Sequence, residues 1–128
     1  MAFQRPTEGG LTIESDAEDT VLVLRLDGEL TLLTQGQFVE RQHEALSKDF
    51  AGVVVDVSGM GFMDSSGLGA IIVFQRKARE AGVAVAFGGF TELPRRVLEV
   101  THMDLVMDLY DTASEALAAV NSAVRGRR

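Results

Sequence analysis

Asp64, Ser65, Ser66 and Gly67 stand between a β-branched run, Val53–Val57, and an apolar helix pattern. A hydroxyl at such a place can cap the helix, attack a substrate or receive a phosphoryl group. Asp and Ser are preferred capping residues, so Asp64 or Ser65 can fill that role. The free N–H groups and positive dipole end of a helix start tolerate an anion there. Sites in open α/β sheets lie beyond the carboxyl ends of the strands, which is where this turn falls.

Enzyme chemistry on the same residues lacks its other parts. A hydrolase nucleophile elbow needs glycines two before and two after the serine. Met63 and Gly67 flank Ser65 at that spacing, and Asp64 and Leu68 flank Ser66. Gly67-Leu68-Gly69 is followed by Ile72 where a dinucleotide loop wants glycine, and there is no Gly-Lys-Ser/Thr of a P-loop. The two histidines, His43 and His102, fall on a solvent-side helix position and on a loop, and they show no metal-ligand spacing. A small hydrolase or nucleotide-using enzyme is the enzymatic alternative, testable with generic esterase and nucleotidase assays. Asp56, at a strand end, could accept a phosphoryl group as in receiver domains. Those domains also need a lysine after the last parallel strand, whereas Lys48 and Lys77 fall on helices. Asp56 is therefore read as an acceptor for the turn Ser58–Met63.

These residues need a scaffold, and the pattern supplies one. Leu11–Ser15 alternates as a short edge strand, Asp16–Asp19 is a turn, and Thr20–Leu26 is a second strand ending at Asp27-Gly28. Thr34 followed by Gln37 has capping-box spacing. A helix then runs over about Gln35–Ser47, with Phe38, Val39, Gln42, Ala45 and Leu46 inward and Glu40, Arg41, Glu44 and Lys48 outward. Val53–Val57 reads as a central strand covered on both faces. A turn with Gly59 and Gly61 leads to the serines. Leu68, Ile71, Ile72, Gln75 and Ala78 form the next helix face, closed by Gly82. Val73 and Phe74 are left over, to pack on neighbouring helices or to serve a partner-binding patch. Val83–Phe87 is another strand, and a short helix can begin near Pro94 with Val97 and Leu98 inward. Leu105–Met107 with Leu109-Tyr110 reads as a last strand. Thr112–Glu115 is a second capping box, followed by the stripe Ala116, Leu117, Val120 and Val124. Strands alternating with helices after an opening pair predict an α/β fold. Its sheet is mostly parallel, with one antiparallel edge strand and about four helices.

Composition bounds the function. A chain of 128 residues with 46% hydrophobic residues suits one core without staples, and no cysteine is present for disulfides or thiolate chemistry. The net charge of -7 repels polyanions, so nucleic acid is not expected as a partner. Arg76, Lys77 and Arg79 fit the negative dipole end of a helix. Arg95-Arg96 and the tail (Arg125, Arg127, Arg128) are the other basic groups. The start Met1–Pro6 has no apolar core of a signal peptide. The apolar stretch Gly67–Phe74 is far short of the roughly 20 residues a membrane span needs. The expectation is a soluble, cytoplasmic protein with a loose arm over 1–10, a domain over 11–124 and a basic tail over 125–128.

Val53–Ile72, with Asp56 and Phe62-Met63-Asp64-Ser65-Ser66-Gly67-Leu68-Gly69, resembles the motif of STAS domains in bacterial anti-sigma factor antagonists. Leu26–Leu30, Arg96–Val100 and Tyr110–Leu117 resemble other parts of that family, so the likeness covers about Leu11–Val120. It implies a non-catalytic, monomeric switch without cofactor. An ATP-binding anti-sigma factor serine kinase would bind the unmodified chain and release its sigma factor. That kinase would phosphorylate Ser65, and a serine phosphatase would reset it. Glu29, Thr31, Asp64, Ser65, Ser66, Gly67 and Leu68 are the partner-binding residues the likeness implies. Two positions depart from the family: Thr31 replaces an Asp after Gly-Glu-Leu, and His102-Met103 replace Gly-Leu. A STAS domain can also serve another system, as a signalling scaffold or a cytoplasmic component of a lipid transporter. A phosphate on Ser65 would rest on a helix N-terminus, so it is expected to leave the helix folded and to act at the docking surface.

Overall fold

Val53, Val55 and Val57 point to one side of their strand and Val54 to the other, and all are fully buried. A strand so covered must lie inside a sheet with helices on both faces. The computed structural model, which describes residues 10–47 and 49–126, has this architecture. Its elements are β1 (Leu11–Glu18), β2 (Val21–Leu30), α1 (Gln35–Ala45), β3 (Gly52–Met63), α2 (Ser65–Ala81), β4 (Ala84–Gly88), α3 (Glu92–Val100), a 3₁₀ turn (Met103–Leu105), β5 (Leu109–Tyr110) and α4 (Ala113–Arg125). The sheet order is β1-β2-β3-β4-β5. β1 pairs antiparallel with β2, and the remaining pairs are parallel.

The two faces carry separate cores. Leu22, Leu24, Leu26, Val53, Val55 and Val57 meet Phe38 of α1, Ile71 and Phe74 of α2 and Leu98 of α3. On the opposite face Val21, Val54 and Ala86 meet Ala116, Val120 and Val124 of α4. The predicted alternation and the α4 stripe account for this division, and the capping box at Thr112 forms as expected.

Several boundaries differ from the sequence reading. β1 continues through the predicted turn to Glu18. Glu14, Asp16 and Glu18 are exposed, so their polarity does not interrupt a strand whose outer face meets water. Asp19, at φ 59, makes the actual turn. β2 does not stop at Asp27-Gly28: Gly28 adopts φ 119 in a bulge, and the strand continues to Leu30. Nor is there a turn at Gly59 and Gly61, because β3 stays paired with β2 as far as Met63. Thr34 forms no capping box. Its hydroxyl instead donates to the Glu29 carbonyl at 2.8 Å and accepts from the Thr31 N–H at 2.9 Å.

Side-chain placement also shifts. Val39 is exposed, and α1 buries Phe38, Gln42 and Ala45. Gln42 donates to the Ala70 carbonyl at 3.5 Å, while its buried Oε1 has no partner among the described residues. On α2, Ile72 and Gln75 are half-buried, and Phe74 takes the core position they were given. α3 starts two residues before Pro94, and of its two predicted inward residues Leu98 is buried and Val97 half-buried. Leu105 ends the 3₁₀ turn and is exposed, as is Val106 after it, so the last strand is only Leu109–Tyr110. The His102-Met103 departure acquires a backbone account. His102 adopts φ 62, the left-handed region that glycine enters without steric cost. Lys48, Arg127, Arg128 and residues 1–9 of the predicted arm lie outside the described residues.

Candidate partner-binding site

The parallel pairing of β2 with β3 ends at Leu30 opposite Met63, and the two chains then leave the sheet side by side. One side chain ties them together. Asp64 is the N-cap of α2: one carboxylate oxygen accepts from the Gly67 N–H at 2.8 Å, and the other accepts from the Leu32 N–H at 3.1 Å. The Asp64 N–H donates to the Leu30 carbonyl at 3.3 Å. The cap of the serine helix is therefore also the anchor of the β2–α1 loop.

Desolvation pushes the Asp64 carboxyl up, but backbone hydrogen bonds from Gly67, Leu32 and Ser66 outweigh it and hold the group below its ordinary value. A lowered folded pKa means that the stabilisation is complete above the unfolded-state pKa. It is lost as pH falls through the folded value. Asp64→Asn is expected to melt below the wild type at neutral pH, with the gap closing as the solution is acidified. Melts across an acid pH series check this.

Because Asp64 occupies the cap, Ser65 does not need to. Ser65 is the first residue of α2 and is exposed; Ser66 is half-buried. Neither hydroxyl has a hydrogen-bond partner among the described residues. Glu29 and Thr31 approach from the neighbouring strand end, both half-buried. The Thr31 hydroxyl accepts from the Leu33 N–H at 3.2 Å, and its carbonyl accepts from Thr34 and Gln35, so this residue organises the loop. Glu29 is held through its main chain to Gly10 at 2.9 Å and to Thr34.

Gly67 and Leu68 are buried, which separates them from the five other residues implied by the family resemblance. A Cβ on Gly67 would run into the Leu30 carbonyl. Gly67→Ala is expected to cost about 1–3 kcal/mol through overpacking, because the obstacle is backbone and cannot turn aside. Urea unfolding would read the loss.

Sequence reasoning missed the exposed apolar residues around this end of the sheet: Leu32, Leu33 and Phe62. The Leu32-Leu33 pair between a strand and a helix start was the available signal, since a loop has no inward face for two leucines. Asp56 lies elsewhere, buried on the α4 face of β3. It accepts from the Ser58 N–H at 3.0 Å, the Ser58 hydroxyl at 2.7 Å and Arg25 Nε at 3.3 Å. Ser58 was anticipated as a donor, but Arg25 was not. His43 and His102 are exposed and far apart in the chain. Among the described residues no group of three or more His, Cys, Asp or Glu could hold a metal ion. No helix is long and apolar enough to cross a membrane among those residues.

Comparison with known proteins agrees with this architecture. The STAS domain family matches residues 12–116. The anti-sigma F factor antagonist of Paenibacillus polymyxa is 30% identical over 108 residues, covering 84% of this chain and 92% of that protein. An anti-sigma factor antagonist from Mycobacterium paratuberculosis superposes with a TM-score of 0.83 at 22% identity, over 91% of this chain and 99% of the other. The Bacillus cell fate determinant SpoIIAA in its phosphorylated form gives 0.66 at 21% identity, over 86% and 98%. With a family match over most of its length, the chain belongs to the STAS-domain family, on the branch of the anti-sigma factor antagonists.

Proposed function

We propose that this chain is a phosphorylation-switched anti-sigma factor antagonist that works without catalysis or cofactor, as a monomer in the cytoplasm. In its unmodified form it binds an ATP-binding anti-sigma factor serine kinase and frees the sigma factor held by that kinase. Phosphorylation of Ser65 ends the interaction, and a serine phosphatase restores it. The contact surface comprises Glu29, Thr31, Asp64, Ser65 and Ser66, with Gly67 and Leu68 fixing its shape.

The observation that carries this reading is the division of labour between Asp64 and Ser65. The carboxylate takes the cap, leaving the adjacent hydroxyl exposed and unengaged at the first residue of α2. Helix N-termini receive anions readily, so the modified serine is compatible with the fold. Membership of the antagonist family supports the choice of partner. Incubating the purified chain with ATP and the host's anti-sigma factor kinase tests the reading by peptide mass spectrometry. A single phosphate on Ser65, absent from Ser65→Ala, is expected. Phosphate on other residues, or none at all, would count against the reading.

A further inference from the structure

α3 and the end of β3 enclose an apolar groove of about 350 Å³, lined by Phe62, Met63, Leu93, Arg96, Val97 and Val100, with Thr101 at one end. The volume falls within the range of sites that take a compact ligand group or an inserted side chain. Its walls are left open to solvent: Phe62 is 43% exposed, Leu93 58% and Val100 72%. Large apolar side chains gathered at one place on a surface mark a contact region.

The groove adjoins the serine segment along β3. Its lining residues Phe62 and Met63 pair across the sheet with Glu29 and Leu30, and Met63 directly precedes the cap Asp64. Charge distinguishes the groove from most of the surface of this acidic chain. Arg95 of the same helix pairs with Asp111 at 3.8 Å, whereas Arg96 faces the groove and has no carboxylate partner among the described residues.

We propose that this groove is the phosphorylation-independent anchor for the anti-sigma factor kinase. It receives one bulky apolar side chain from the kinase, with a kinase carboxylate beside that side chain to meet Arg96. The inference rests on the proposed function and divides the interface in two. The groove supplies affinity, and Ser65 supplies the switch. A few buried apolar anchors dominate most interfaces, while an unpaired cation at the rim selects the partner by charge.

Isothermal titration of the purified kinase into wild type, Ser65→Asp, Leu93→Asp and Arg96→Glu tests the division, with thermal melts of each variant. Leu93 and Arg96 are exposed, so wild-type melting is expected. Leu93→Asn serves as a milder variant if the aspartate lowers stability. The groove variants are expected to lose about tenfold or more in affinity. The corresponding Asp or Glu of the kinase, changed to Lys, is expected to restore binding to Arg96→Glu. If the groove variants bind as wild type while Ser65→Asp does not, the anchor is wrong and the switch stands. If wild type itself does not bind the kinase, the proposed function fails and takes the anchor with it.

Discussion

Phosphorylation of Ser65 is expected to weaken binding of the anti-sigma factor kinase by several hundredfold while leaving the free chain folded. The phosphate adds about -1.5 to -2 charges to a surface already bearing Asp64 and Glu29. At a docked interface these charges must be desolvated and set against whatever acidic groups face them. A penalty of about 3–4 kcal/mol corresponds to that loss of affinity. In the free chain the same phosphate stays in water at the positive end of α2, where the helix dipole contributes about 0.3–1 kcal/mol in its favour. Repulsion from Asp64 offsets part of this. The melting temperature of the phosphorylated chain is therefore expected within about 4 °C of the unmodified one. A titration and a melt on the same two samples separate the effects. A large drop in melting temperature would mean that the phosphate acts by unfolding α2.

Phe74→Ala is expected to be the most destabilising single truncation in this part of the fold, at about 3–5 kcal/mol. Phe74 is 0% exposed, and its ring meets Phe38 edge-on with centroids 5.5 Å apart. It is thus a contact between α2 and α1, beside the Gln42 bond to the Ala70 carbonyl, and removing it leaves a cavity between the two helices. Against a native stability of about 5–15 kcal/mol, that loss is a large fraction. Phe74→Asp should not fold at all, because the charge would have no partner there. Of the two roles open to Phe74 from sequence, packing on a neighbouring helix is the one it fills. Denaturant unfolding of Phe74→Ala checks the size. Leu33→Asp, at an exposed loop position, should unfold like the wild type.

The fold was legible because the strands that matter are buried on both faces or on one, and burial writes itself into residue type. Val53–Val57 and the α4 stripe needed no further information. Strand lengths were not legible, because the signals used to end strands were local. Gly28 read as a strand end and Gly59 and Gly61 as a turn, yet pairing of β2 with β3 resumes past each of them across local register shifts. The acidic end of β1 read as a loop for the same reason: an edge face in water imposes no apolar pattern. Thr34 has the right type and spacing for a cap but finds a better acceptor in the Glu29 carbonyl, a contact that depends on where β2 ends.

The candidate site was legible as a stretch of chain but not as a surface. Asp64 and the serines could be picked out from the Asp-Ser-Ser-Gly order. That the second Asp64 oxygen reaches Leu32, on a different loop, follows only from the parallel register of β2 and β3. The groove beside α3 joins residues about thirty positions apart in sequence, and no local pattern connects them. Leu93 and Val100 look like ordinary members of a short helix until their exposure is known.

The most direct test of the switch is a pull-down from host lysate with wild type, Ser65→Ala and Ser65→Asp as baits, with bound proteins and the phosphorylation state of the wild-type bait identified by mass spectrometry. The expected result is that Ser65→Ala retains a small ATP-binding kinase that Ser65→Asp loses. The same membrane or scaffold proteins on all three baits would contradict the account and reduce Ser65 to the first residue of a helix.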